Sequence, residues 1–266
     1  MDYDFSDNAV ALTQSLMKHL TDSWKAQAIH VAASLRLPDF LAEHPKTTLL
    51  LGTKGFEHLA KDSRAAEIFN TGLMNLTRMT AEQLVKAYDF SAIHQLVDVG
   101  GGYGGLLCPI LQVNPDMKGI LFDQDHAKEG ATQQAAKYGV SDQFEFQSGD
   151  FFVSEALPQD ADAYILKNII HDWNDEHSQL ILNNCRKAMA SNGRVLLIEH
   201  VVPEKLAEDP RHQAIICNDL HMLAALAAQE RTEEEYRILL QSAELKINQI
   251  IPVDMAFHLI EAVAIN

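Results

Sequence analysis

The densest set of reactive side chains in this 266-residue chain lies in "NIIHDWNDEH", residues 168–177. His171, Asp172, Asp175, Glu176 and His177 bring imidazoles and carboxylates together there. Such groups are ligands for divalent metals. An imidazole oriented by a carboxylate is also a general base that works near neutral pH. A third use is structural: an Asn followed by acids opens a helix, the amide capping free N–H groups and the acids facing the positive end of the dipole. Asn174, Asp175 and Glu176, with apolar Leu180, Ile181 and Met189 beyond them, fit that third use. It accounts for the carboxylates a metal would need, so no metal is expected. His171 precedes the cap, and the helix start leaves it unexplained.

A second set surrounds the glycine run "DVGGGYGG", residues 98–105. Gly100, Gly102 and Gly105 satisfy the GxGxxG pattern of dinucleotide sites, while Asp98, Gly100, Gly102 and Gly104 satisfy DxGxGxG. Asp98 separates the two, because a carboxylate repels a pyrophosphate but suits a ligand bearing an ammonium group. S-adenosylmethionine has that ammonium, a carboxylate for a helix N-terminus to attract, and a ribose diol. Asp123 is placed to accept from the diol.

These residues need a scaffold that gathers them. From about residue 92, "QLVDVG" (95–100), "KGILFDQ" (118–124), "QFEFQSGD" (143–150), "DAYILKN" (162–168) and "GRVLLIEH" (193–200) alternate with helical stretches. That alternation predicts an α/β fold with a doubly wound parallel sheet. "LKINQIIPV" (245–253) and "HLIEAVAI" (258–265) are too close in sequence for a crossover helix, so they should form an antiparallel hairpin, which a dinucleotide-binding sheet does not usually have. Ligands of open α/β sheets bind beyond the carboxyl ends of the strands. Each of the five parallel strands ends on or near an ionisable residue: Asp98, Asp123, Asp150, Lys167 with His171, and Glu199. One shared site is the expectation. Residues 8–42 and 55–88 carry apolar residues at helical spacing, for a core or a partner subunit.

The balance of 21 basic against 37 acidic residues gives a formal charge of −16, which disfavours nucleic acid and anionic membrane as partners. No apolar run is long enough to cross a bilayer, and "MDYDFSDNAV" lacks the basic-then-apolar pattern of a signal peptide, so a cytoplasmic protein is expected. Cys108, Cys185 and Cys217 are too few and too scattered for a disulfide framework or a zinc knuckle.

"LVDVGGGYGGLL", "GILFDQDH", "GDFF", "YILKNIIHDWNDEH" and "ERTEEEYRILL", in that order, resemble the small-molecule O-methyltransferases of the class I S-adenosylmethionine-dependent fold. This is the branch of plant phenylpropanoid and bacterial secondary-metabolite enzymes. The likeness covers about residues 92–266, with "SWKAQAIHVAASLRLPDFLAE" similar to the family's first helices. It implies a helical dimerisation region over 1–91 and a cofactor-binding methyltransferase domain over 92–266. It assigns Gly100, Gly102 and their loop to the methionine part of the cofactor, Asp123 to the ribose, Asp150 and Phe151 to the adenine, and Lys167 to the outer edge. His171 becomes the general base with Glu199 and Glu230 beside it. Met222, with Leu73 or Met74, lines the acceptor pocket, and Trp173 packs at its wall. A phenol with a pKa near 10 is only about a thousandth ionised at pH 7, which is why a base is needed.

The chain departs from the family in two places. The winged-helix-like unit before the glycine loop has no counterpart, and "LAALAAQERT" has alanines where glycines are usual. Both bear on the acceptor more than on the cofactor. The resemblance implies transfer to a hydroxyl of a small, aromatic metabolite by a homodimer. Two alternatives stay open: a non-methylating reaction on the same site, and an inactive cofactor-binding partner.

Overall fold

The computed structural model describes Met74, residues 77–226 and residues 228–265. The helices expected over 8–42, most of those over 55–88, and Leu73 lie outside the described residues. Helix α1, residues 77–87, buries Ala81 and Leu84, and with Tyr88 and Phe90 it joins the core that holds Leu96, Leu107 and Leu111.

The strands are β1 (Gln95–Val99), β2 (Lys118–Asp123), β3 (Phe144–Ser148), β4 (Ala161–Lys167), β5 (Met189–Val202), β6 (Arg231–Thr232), β7 (Leu245–Pro252) and β8 (Phe257–Ala264). Their order is β3-β2-β1-β4-β5-β8-β7, with β6 paired to β5. The chain starts in the middle of the sheet, runs outward to β3, and returns to place β4 on the other side of β1. That reversal opens a crevice at the carboxyl ends of β1 and β4. Strands β1 to β5 run parallel, and β8 is antiparallel to both β5 and β7. The doubly wound sheet closed by an antiparallel hairpin is therefore present.

Central strands are covered on both faces, so they read as continuous apolar runs. In β1, Leu96 faces one core and Val97 and Val99 the other; in β4, Ile165 and Leu166 divide in the same way. Helices α2 (Leu107–Val113) and α3 (Lys128–Tyr138) follow β1 and β2. Helix α4 (Asp175–Ala188) follows β4, and Asn174 Oδ1 accepts the His177 N–H at 3.0 Å, so the expected cap is formed. Such a cap contributes about 1 kcal/mol. Its buried face is Ser178, Ile181, Leu182 and Cys185. Two expectations need correction: Leu180 faces solvent, and Met189 opens β5 instead of continuing the helix. Helix α5 (Pro210–Leu226) leads to β6, and α6 (Glu233–Ser242) is capped reciprocally by Thr232 and Glu235. No helix among the described residues is long and apolar enough to cross a membrane.

Candidate active site

The glycine loop leaves β1 with positive φ at Gly100 (71°) and Gly102 (56°), a region that costs side-chain-bearing residues about 1–2 kcal/mol. A Cβ on Gly100 would lie 2.5 Å from Ile169 Cδ1, so this glycine also lets the loop meet the segment after β4. A Cβ on Gly102 would meet nothing within 4 Å and would project into open space. The Gly102 N–H donates to Asp123 Oδ2 at 2.7 Å, and the Gln124 N–H to Asp123 Oδ1 at 2.6 Å, so the end of β2 is tied to the loop.

Asp98, the penultimate residue of β1, is 2% exposed, and its Oδ2 has no partner among the described residues. Burial, reinforced by Asp123 and opposed by Lys167, pushes its carboxyl up to about 7. Burial raises Asp123 as well. Two buried acids with raised pKa values, one of them with an unpartnered oxygen, form a site that a cation completes.

Asp150 stands just beyond β3 and is exposed; its Oδ1 accepts the Phe152 N–H at 2.9 Å and shapes the turn. Phe151, Phe152 and Trp173 pack edge to face, with centroids 4.7–6.0 Å apart. His177, half-buried, completes the group against Phe152 and Trp173. Phe151 also approaches Gly100, so this aromatic shelf borders the glycine loop.

Lys167 ends β4, with Nζ 4.4 Å from the centroid of Phe257. Burial lowers its pKa, while Glu199, Asp254 and Asp98 act in the opposite sense. With Thr80, Asn168, Asp254 and Phe257 it lines a cavity of about 240 Å³.

His171 lies in a single 3₁₀ turn, Ile170–Asp172, directly after β4. Its Nδ1 is 2.8 Å from Glu230 Oε1, and its Nε2 is 3.4 Å from Asp172 Oδ1. Glu199 stands one residue past the last β4–β5 pair. Its Oε1 accepts the N–H groups of Ile169 and Ile170 at 3.0 and 2.9 Å. The two glutamates therefore divide the work: Glu230 holds the ring and Glu199 holds the backbone that carries it. Burial would lower the His171 pKa, but Glu199, Glu230 and Asp172 outweigh it and raise it to about 9. Glu230 moves the other way: burial opposes ionisation, but the bonds from His171 and His200 bring it down to about 2. Burial raises Glu199, and it raises Asp172 to about 7.

Sequence reasoning brought His171, Glu199 and Glu230 together but missed their supports. Arg231 is fully buried; it donates to Ile170 O and Trp173 O at 2.9 Å each and to Asp175 Oδ1 at 2.8 and 3.0 Å. The turn bearing His171 and strand β6, which begins directly after Glu230, are thereby pinned to each other. Asp219 Oδ1 accepts the Glu230 backbone N–H at 2.8 Å, and Asn218 Nδ2 donates to Glu230 Oε1. His200 Nδ1 is 3.1 Å from the same oxygen, its ring stacked on Phe257 with centroids 4.3 Å apart. An arginine directly after Glu230 in "ERT" was the one sequence signal for this scaffold. Met222 is buried on α5, and Met74 packs its backbone against Gly105 of the glycine loop.

A model of the O-methyltransferase domain family matches residues 39–246. Phenazine O-methyltransferase PhzM of Lysobacter antibioticus is 41% identical over 211 residues, which are 79% of this chain and 60% of that protein. The crystal structure of LaPhzM superposes with a TM-score of 0.80 at 38% identity, covering 88% of this chain and 69% of that one. The O-methyltransferase NcsB1 from neocarzinostatin biosynthesis, in complex with S-adenosylmethionine and 2-hydroxy-5-methyl naphthoic acid, gives a TM-score of 0.70 at 30% identity, covering 80% and 62%. The chain thus spans about 60% of the length of that first relative, PhzM, less than two thirds of it.

Proposed function

The chain belongs to the O-methyltransferase domain family and has the class I methyltransferase fold, and on that premise we propose that it methylates a hydroxyl of a small aromatic metabolite with His171 as general base. S-adenosylmethionine, when bound, supplies a methyl group made electrophilic by its sulfonium. The residues present fit it: Asp98 Oδ2 is a buried acceptor with no partner among the described residues, and Gly102 leaves open space at the loop. Asp98, Gly100 and Gly102 would hold its methionine portion, Asp123 its ribose, Asp150 and Phe151 its adenine, and Lys167 its outer edge.

The observation that carries the proposal is the His171–Glu230 pair, 2.8 Å apart and buried, beside the carboxyl ends of β4 and β5. With its proton on Nδ1 shared with Glu230, the ring keeps Nε2 as the basic nitrogen. Nε2 takes the hydroxyl proton as the oxygen attacks, and the imidazolium is held by Glu230 and Asp172. A base raised to about 9 lies close to a phenol near 10, so the transfer is almost level in energy. Only about a hundredth of the protein carries the free Nε2 at pH 7, however, and transfer should therefore rise as pH climbs toward 9. The fused aromatic ring systems in the names of the relatives support a planar substrate, for which Trp173, Met222 and Met74 would line the pocket. A cytoplasmic homodimer is part of the same reading, on the family resemblance. A monomer mass in light scattering at micromolar concentration would remove the dimer.

The test uses His171→Ala with methyl-labelled cofactor and a panel of hydroxylated aromatics. Cofactor binding should persist while transfer falls by about 100-fold or more, as for loss of a general base. Undiminished transfer would remove His171 from its role. Products of the wild type without added methyl mass would overturn methylation in favour of another reaction on the same site.

A further inference from the structure

Glu230 Oε1 receives three nitrogen atoms: His171 Nδ1 at 2.8 Å, His200 Nδ1 at 3.1 Å and Asn218 Nδ2 at 2.5 Å. Its other oxygen, Oε2, is buried with no partner among the described residues. One ligand atom each from His171, His200 and Glu230 lie within 4.8 Å of one another. Bonds of about 2.0–2.1 Å to a tetrahedral ion put neighbouring ligand atoms about 3.3 Å apart, close to the separations between the nitrogens and Oε1. We propose that His171, His200 and Glu230 form an inhibitory site for a divalent transition metal of zinc's class, which takes the candidate base out of proton transfer.

Two imidazole nitrogens and a carboxylate suit zinc or cobalt; magnesium and calcium demand oxygen ligands. Three protein ligands with one position left for water is a familiar zinc arrangement. The surroundings suit it as well. His171 Nε2 is 3.4 Å from Asp172 Oδ1, which gives the carboxylate–imidazole pair that fixes the tautomer of a metal-bound histidine. Phe257 fixes the His200 ring, and Asp219 holds the Glu230 backbone. Asn218 would withdraw its amide N–H₂ or turn its oxygen inward.

The protons balance without redox change. Each imidazole surrenders the proton on Nδ1, to solvent if the ring is charged or onto its own Nε2 if neutral. The metal occupies the freed lone pair. His171 is then left with a protonated Nε2 and no lone pair for a hydroxyl proton. This consequence rests on the proposed general base, whereas metal binding itself does not.

The test titrates the chelator-stripped full chain with cobalt(II), read by its visible absorption, and with zinc, read by calorimetry. His200→Phe keeps a ring against Phe257 and removes one ligand, and His177→Phe is the control. The wild type and the control should bind one ion with the absorption of a low-coordinate site. His200→Phe should bind more weakly by at least the roughly 10- to 100-fold that loss of a supporting residue costs. Zinc should suppress methyl transfer in the wild type, reversibly with chelator, and much less in His200→Phe. Equal affinity in His200→Phe and wild type, or no cobalt absorption, would overturn the site; His200→Asn carries the same test if the first variant fails to fold. Tight, His200-dependent binding in a protein without transferase activity would keep the metal site and defeat the methylation reading instead.

Discussion

Asp98→Asn should stabilise the empty protein while damaging its cofactor site, and the two effects should separate with pH. The folded protein holds the Asp98 carboxyl at about 7, against 3.8 for the free side chain, because burial penalises its charge. The sign follows from which state keeps the proton. Below pH 3.8 both folded and unfolded chains are protonated, and Asp98 makes no difference. Between 3.8 and 7 the unfolded chain ionises first, so rising pH favours unfolding. Above 7 both are ionised and the loss is complete. A difference of about three pH units at 1.36 kcal/mol each makes that loss about 4 kcal/mol at pH 8, as an upper bound. Asparagine avoids it, so the variant should melt several degrees above wild type at pH 8 and level with it at pH 4. Ligand binding should run the other way. An ammonium group needs the ionised carboxylate, worth about 1.5–3 kcal/mol as a charged hydrogen bond, or roughly 10- to 100-fold in affinity at pH 8. Below pH 7 the wild type must release the Asp98 proton to bind, so its advantage shrinks about tenfold per pH unit. Calorimetry with S-adenosylhomocysteine, which keeps the ammonium, measures both effects, and buffers of different ionisation heat count the released proton. Equal affinities at pH 8, or the same pH dependence in both proteins, would place the ammonium elsewhere. A variant no more stable than wild type at pH 8 would refute the burial argument.

Gly102→Ala should cost only about 1 kcal/mol in stability, from backbone strain at positive φ, yet weaken cofactor binding by tenfold or more, because the new methyl enters open space at the loop; paired melting and binding curves check it. Arg231→Met should remove the charged bonds to the carbonyls of Ile170 and Trp173 and leave them the longer 3.2 Å bonds from Ser178 Oγ, at about 1.5–3 kcal/mol for each charged bond lost, which a lowered denaturation midpoint would register. Lysine should rescue it poorly, since one ammonium cannot copy the guanidinium fork. Glu199→Gln should fold with little loss, because its amide oxygen can still accept from Ile169 and Ile170, whereas Glu199→Ala should lose about 2 kcal/mol or more by orphaning both N–H groups; chemical denaturation of the pair separates the two.

What could be read in advance was local. The strand-end acids, the glycine loop and the Asn174 cap depend on neighbours a few residues away, and each formed as its sequence pattern implied. Leu180 was misread because an apolar residue inside a helical stretch says nothing about phase until the packing of Ile181 and Cys185 fixes it. Asp150 was legible as a strand-end acid, but a two-residue hydrogen bond to Phe152 could not be told from a free carboxylate. The division between Glu199 and Glu230 was out of reach for another reason. His171 and Glu230 are separated by 59 residues and meet only because β6 pairs beyond β5. The same long-range placement hid His200, Asn218 and Arg231.

The position of β8 has a consequence for biosynthesis. Among the described residues this strand is the last in chain order, yet it is inserted between β5 and β7 and does not form an outer edge. Until residues 257–264 are available, β5 must wait with one side of its backbone unpaired, and β7 has no neighbour on that path. An emerging chain can wind β1 to β5 early, but it carries an open, apolar sheet edge throughout that interval, the kind of surface on which nascent chains aggregate. Phe257, which stacks on His200 and faces the Lys167 ammonium, arrives with the same strand. The candidate site therefore gains this wall only when the sheet itself is closed, so a partly synthesised chain would lack the wall that its complete form presents.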